Sequence, residues 1–207
     1  MLFKSRFLFF LTTFFFILIL SSSCEKDNFD PGNNNEDGQS ENPEINPENK
    51  LPQIIITTNG NTIVDDPKID AQIHISKDDI VSYTGNIGIE IRGASSQMFP
   101  KKSYGLETKD DTNIDLDVSL LGLPEEEDWI LYAPYSDKSL LRNVLMYDLW
   151  RDIDRYASRT VFVELIINGV YKGVYVFMEK LKRDKVRIDI NKLNVDENSG
   201  EDVTGGY

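Results

Sequence analysis

The chain predicts an α+β domain: mainly an antiparallel sheet, with one packed helix. Three observations predict it. Apolar and polar residues alternate in short runs, as in Ala71-Gln72-Ile73-His74-Ile75 and Ile87-Gly88-Ile89-Glu90-Ile91, the period of two that half-buries a strand. Asn168-Gly169 stands between two β-rich runs, the strongest short-range signal for a type I′ hairpin. One later segment, from about Lys138 to Arg155, repeats its apolar residues every three or four positions, as a helix with one inward face does.

Taken in order, Ile54-Ile55-Ile56 followed by Thr57-Thr58-Asn59-Gly60-Asn61 reads as a strand and a turn. In the next strand Ala71, Ile73 and Ile75 face the core. The only histidine, His74, then points away from it. Without a second His or a nearby Cys, it reads as an exposed strand position and not as an acid–base or metal residue. The strand through Ile87, Ile89 and Ile91 ends in Arg92-Gly93-Ala94-Ser95-Ser96, which is loop chemistry. Phe99 precedes Pro100 and is biased to extended backbone. A strand runs from Lys101 to Thr108, and Lys109 to Asn113 is a polar loop.

Leu120-Leu121-Gly122-Leu123-Pro124 is a short turn, Glu125-Glu126-Glu127 reads with Asp128 as a solvated acidic loop, and Asp128 to Tyr132 is a buried strand. Ser136 or Asp137 can cap the helix. Leu141, Leu145, Leu149, Ile153 and Tyr156 form its inward face, widened by Trp150. Val161–Ile167 and Val170–Met178 form the hairpin. They are apolar at most positions, which places it centrally in the sheet. Glu164 within it faces solvent or needs a partner, because an unpaired buried charge is costly. After Glu179 the chain turns basic, with Lys180, Lys182, Arg183, Lys185 and Arg187 around Asp184.

The amino terminus has its own logic. Lys4 and Arg6 precede an apolar run from Phe7 to Leu20, then Ser21-Ser22-Ser23 and the single cysteine, Cys24. A basic start, an apolar block and small residues form a secretory signal. The run is 14 residues long, short of the roughly 20 that cross a bilayer. A lone thiol just past the cut reads as a lipid attachment site, so residues 1–23 are expected to be a lipoprotein signal peptide. Residues 24–50 are acidic, with Asn33-Asn34-Asn35, Pro31, Pro43 and Pro47. They bury too little to offset ordering entropy and read as a disordered tether. The expected place is the cell envelope, lipid-anchored through Cys24, with Glu25-Lys26-Asp27 resembling an export signal of outer-membrane surface lipoproteins. A formal net charge of −13 argues against a nucleic-acid partner. One cysteine excludes an internal disulfide and a Cys-based zinc site.

No dinucleotide, hydrolase, metalloprotease or typical protein-kinase motif occurs. What remains is cationic: Arg92 at a Gly/Ser loop, Lys101-Lys102 opening the next strand, and Arg142 early in the helix. Loop N–H groups, hydroxyls and a lysine can cradle polyphosphate.

Five blocks carry a family resemblance. They are Ile91-Arg92-Gly93-Ala94-Ser95-Ser96 with Phe99-Pro100-Lys101-Lys102-Ser103-Tyr104; Asp128-Trp129-Ile130-Leu131; Asp137-Lys138-Ser139-Leu140-Leu141-Arg142-Asn143; Val163-Glu164-Leu165 through Asn168-Gly169-Val170-Tyr171-Lys172-Gly173-Val174-Tyr175; and Glu179-Lys180-Leu181-Lys182 with Arg187-Ile188-Asp189-Ile190. In this order the stretch from about residue 85 to 207 resembles the CotH kinase family, named for spore-coat protein H; residues 51–84 fit less distinctly. The family is one of atypical kinase-like ATP phosphotransferases. The resemblance implies that 51–207 is an amino lobe, truncated before the lobe carrying the catalytic and metal-binding acids. It implies ATP and Mg²⁺ as cofactors of the full-length protein, and a protein substrate whose identity is not legible. Lys102 would lie on the phosphates, Arg92, Ser95 and Ser96 over them, and Met178 to Lys180, with Glu179, would form the hinge that meets adenine. Two features depart from the family's pattern. Its common Arg-Gly-x-Gly-Asn-Ser-Thr loop is Arg92-Gly93-Ala94-Ser95-Ser96 here. The helix has no Glu, so a Lys–Glu pair would need Asp148 or Asp152. The alternative function is a non-catalytic surface-binding lipoprotein on the same fold.

Overall fold

The computed structural model describes residues 50–204. The leader, Cys24 and the tether up to residue 49 lie outside the described residues.

The alternating runs form strands where expected: β1 (Gln53–Thr57), β2 (Ile69–Lys77), β3 (Ile80–Arg92), β4 (Ser103–Lys109) and β5 (Asp128–Tyr132). A helix, α1 (Arg142–Asp152), follows, then β6 (Thr160–Ile167) and β7 (Val170–Glu179). At the β6–β7 turn Asn168 and Gly169 have φ of 50° and 75°, the left-handed pair a type I′ turn requires. The β2–β3 turn uses Asp78 and Asp79 in the same region, at 51° and 62°. Asp tolerates that conformation better than most residues.

The sheet is not open. The order β1-β2-β3-β4-β5-β7-β6 closes on itself as a seven-stranded barrel. Every pairing is antiparallel except the closure, in which β1 runs parallel to β6 from Gln53↔Glu164 to Ile56↔Ile167. This corrects the expectation of a kinase-like α+β lobe with a packed helix. Closure satisfies the two strand edges that an open sheet would leave bare. The Asn168 side chain reinforces it, accepting from Thr58 N at 2.9 Å and donating to Thr58 Oγ1 at 2.9 Å.

Strand alternation sends one set of side chains into the barrel. Ile54, Ile56, Ile73, Ile75, Ile87, Ile89, Leu106, Trp129, Leu131, Val163, Leu165, Tyr175 and Phe177 fill it. Trp129 and Phe177 stack inside with centroids 5.0 Å apart. Full burial of each such side chain contributes about 1.5–3 kcal/mol. On β5 and β7 the outward residues Ile130, Val176 and Met178 are also buried, under Val144 and Tyr147 of α1. That is why these strands read as apolar at nearly every position.

The helix itself departs from expectation. It begins at Arg142, four residues later than its periodicity suggested, because Asp137 caps a preceding turn. Asp137 Oδ1 accepts from Ser139 N and Oγ, and its Oδ2 accepts from Arg142 N at 2.9 Å. No residue of α1 is fully buried. Most of the expected inward face points outward: Leu141, Leu145, Leu149, Trp150 and Ile153 are each about half exposed, between 49% and 59%, while Tyr156, beyond the helix end, is half-buried against Glu179. The apolar residues Val144 and Tyr147 of α1 pack on the barrel. No helix among the described residues is long and apolar enough to cross a membrane.

Candidate functional site

The β3–β4 connection and the loop after β5 meet at one mouth of the barrel. Arg92, the last residue of β3, pairs with Ser103, the first of β4. Its side chain is exposed on the outer surface. Gly93 has φ +115°, and a Cβ built there would overlap Ser96 Oγ, so only glycine lets the chain turn this tightly. Ser95 and Ser96 open a 3₁₀ turn, Ser95–Met98. Lys102 donates its ammonium to Gln97 O, the last-but-one residue of that turn. Gln97 Nε2 donates to Gly93 O at 2.5 Å and to Asp65 Oδ1 at 2.8 Å. The loop is thus fastened at both ends.

Lys101 lies across the mouth. Its Nζ donates to Val174 O at 2.6 Å and stands 4.4 Å from the Tyr175 ring centroid. Tyr175 Oη donates in turn to Lys102 O at 3.0 Å. Burial lowers the Lys101 pKa and raises that of Tyr175, each the penalty for charging a group with little water around it. Arg92, Lys101 and Lys102 enter none of the ion pairs formed among the described residues. In a chain of net charge −13, three cations flanking one connection that meet no carboxylate among the described residues offer an anion positive charge that no acid already holds.

Arg92, Ser95, Ser96 and Lys102 all lie on or beside the β3–β4 connection, and Lys102 is bonded to Gln97 within the turn that Ser95 opens. Glu179 is elsewhere, at the far end of β7 from the mouth residues Val174 and Tyr175, in register with Trp129 and, through it, Leu106. Its side chain is fully buried and engaged: Oε2 accepts from Arg159 N at 2.8 Å and from Tyr156 Oη at 3.4 Å, and Oε1 pairs with Arg159 Nη1 at 3.2 Å. Burial, with the Glu179 charge beside it, pushes the Tyr156 hydroxyl up to about 12. At the hinge expected at Met178 to Lys180, several backbone groups are already bonded. Met178 pairs with both Ile130 and Thr160, Glu179 N donates to Arg159 O at 3.3 Å, and Lys180 O accepts from Arg187 Nη1 at 2.6 Å.

A second charged centre was missed. The acidic run before β5 is not a solvated loop. Glu126 is 2% exposed and Asp128 8%, and the basic run after β7 covers them. The Lys182 ammonium touches Glu126, lies 2.5 Å from Glu127 Oε1 and 3.3 Å from Asp128 Oδ2. Lys180 reaches Asp128 at 2.8 Å, and the Arg187 guanidinium, wholly buried, reaches Glu126 at 3.3 Å above the Trp129 ring. The three carboxylates have ligand atoms within 4.8 Å of one another, a spacing a metal ion could use, but Lys182 and Arg187 supply the positive charge there. The signal in the sequence was two opposite charge runs, each flanking a strand. They meet because β5 pairs with β7.

The fold and mouth define a closed β-barrel with a fastened glycine–serine loop and a cationic rim that no carboxylate neutralises. The chain belongs to the CotH kinase protein family, whose model matches residues 89–201, more than half its length. The match starts within β3 and takes in the mouth loop, α1, the β6–β7 hairpin and the buried ion network. No curated protein matches the chain.

Proposed function

We propose that the mouth binds the phosphates of ATP, as part of a CotH-type, ATP-dependent phosphotransferase held at the cell envelope by lipid on Cys24. One observation carries the reading: Lys102 is bonded to the glycine-permitted Ser95–Met98 turn, Arg92 and Lys101 flank the same β3–β4 connection, and none of the three has a carboxylate partner among the described residues. Guanidinium and ammonium groups supply charge-assisted hydrogen bonds to phosphate oxygens. In this assignment Lys102 holds the turn closed through Gln97 O and presents its remaining N–H donors to phosphate, Arg92 meets it from the outer rim, and the Ser95 and Ser96 hydroxyls complete the cradle. Bound ATP would bring Mg²⁺ and supply the phosphoryl group. The chain's own residues bind and orient it. Glu179 has no part in the cradle, because Arg159 and Tyr156 use its carboxylate.

Calorimetric titration of the protein with Mg²⁺–ATP tests this. Lys102→Ala should weaken binding roughly tenfold or more, the scale of one charged hydrogen bond. Binding that Lys102→Ala leaves unchanged sinks the assignment.

A further inference from the structure

We infer that Tyr135, backed by Phe99, is the platform on which the base of the bound nucleoside triphosphate stacks. The inference rests on the nucleotide reading of the mouth and adds where the base goes.

At the strand end where a base was expected, several backbone groups are already engaged. Met178 is paired on both sides, Glu179 N is used by Arg159 O, and Lys180 O is used by Arg187. The mouth offers a different surface. The Phe99 and Tyr135 rings stack with centroids 5.0 Å apart and planes 30° from parallel. Tyr135 is 49% exposed, so one ring face is supported and much of the remainder is open. Met98, the residue before Phe99, is 79% exposed and adds apolar surface to that loop.

The pair shares a frame with the cations. Phe99 follows the turn that Lys102 fastens at Gln97 O, and precedes Lys101 by two residues. Tyr135 follows Ala133, whose N–H donates to Ser103 Oγ at 3.0 Å, next to Lys102. Aromatic surface and unpaired positive charge thus lie on two loops tied to each other, the combination that takes a base and its phosphates together. The plainer role is a latch: the stacked rings would simply hold the loops against each other. A latch acts on the phosphates and the base alike. A platform acts on the base alone.

The full chain is titrated with Mg²⁺–ATP and, separately, with Mg²⁺–tripolyphosphate. Tyr135→Ala should weaken ATP about fivefold or more, the low end for losing one stacked base, and leave tripolyphosphate within twofold. Tyr135→Trp should keep ATP affinity, and its added fluorescence, taken as the difference from wild type, should be quenched by ATP but not by tripolyphosphate. Equal losses for both ligands in Tyr135→Ala overturn the platform, as does a Tyr135→Trp protein whose emission ignores ATP. A wild-type protein that binds neither ligand overturns the nucleotide reading itself. One that binds tripolyphosphate as tightly as ATP overturns only the base site.

Discussion

Replacing Arg187 by Met removes a guanidinium with no exposed surface, while keeping most of the side-chain volume. Three contacts go: the 2.6 Å bond to Lys180 O, the 3.3 Å ion pair with Glu126 and the stack on Trp129 at 5.0 Å. Breaking one side of a buried ion pair costs about 3–5 kcal/mol, most of it the charge left behind. Here Lys182 still touches Glu126, so the low end, about 3 kcal/mol, is expected. For a domain of this size 1 kcal/mol moves the melting temperature by roughly 2–4 °C; the variant should melt about 6–12 °C lower. Urea unfolding of wild type, Arg187→Met, Glu126→Gln and the double variant closes the cycle, and the coupling should be about 1–3 kcal/mol. The control is Lys180→Met: Lys180 pairs with Asp128 from a side chain 40% exposed, and such pairs contribute at most about 1 kcal/mol. If Arg187→Met costs no more than Lys180→Met, the buried-network reasoning is wrong.

The same network fixes an acid limb. Burial alone would raise the Glu127 pKa, but hydrogen bonds from Lys182 and Asp117 outweigh it and hold the carboxyl at about 2. A depressed carboxyl contributes stability that is complete above its unfolded value, near 4.5, and is lost as pH falls toward 2. Lys182 is raised, its burial outweighed by bonds to Glu126 and Glu127, so its contribution is complete below pH 10.5 and fades only in strong alkali. Glu126 is shifted the other way, upward, by burial, which opposes part of the Glu127 slope. Unfolding free energy measured between pH 5 and 2 should fall less steeply in Lys182→Met than in wild type; equal slopes would contradict the assignment. The helix gives the opposite kind of test. Leu145→Gln and Leu149→Gln change exposed positions and should alter urea stability by no more than about 0.5 kcal/mol each. Val144→Asp, set against Ile130 and Val176, should cost several times that. A Leu149→Gln protein as damaged as Val144→Asp would mean that the helix turns its other face to the barrel.

Local pattern reached far in some elements and stopped short in others. The β2 and β3 runs and the Asn168-Gly169 hairpin were legible because side-chain period and turn φ are properties of adjacent residues. The helix was legible as a helix, but not which way it faces. Leu141, Leu145, Leu149 and Ile153 form the wider stripe, yet Val144 and Tyr147 meet the groove over Ile130 and Val176. At the mouth, Arg92, Ser95, Ser96 and Lys102 are legible as candidates from loop chemistry and family motif together. Lys101 was noted only as a neighbour, because its bond to Val174 depends on a strand more than seventy residues away. Glu179 was drawn into the site by position in a motif. Its burial against Arg159 shows only when β6 lies beside β7.

By itself the sequence determined where strands, turns and the helix fall. Those are short-range facts, set by backbone sterics and by alternation along a few residues. The tertiary structure alone decided that β1 closes on β6, that the acids at 126–128 are buried under the cations at 180–187, and that three other cations are left without acids. Closure joins segments more than a hundred residues apart, and the balance of each charge depends on which strand it meets. Neither is written in the order of neighbouring residues.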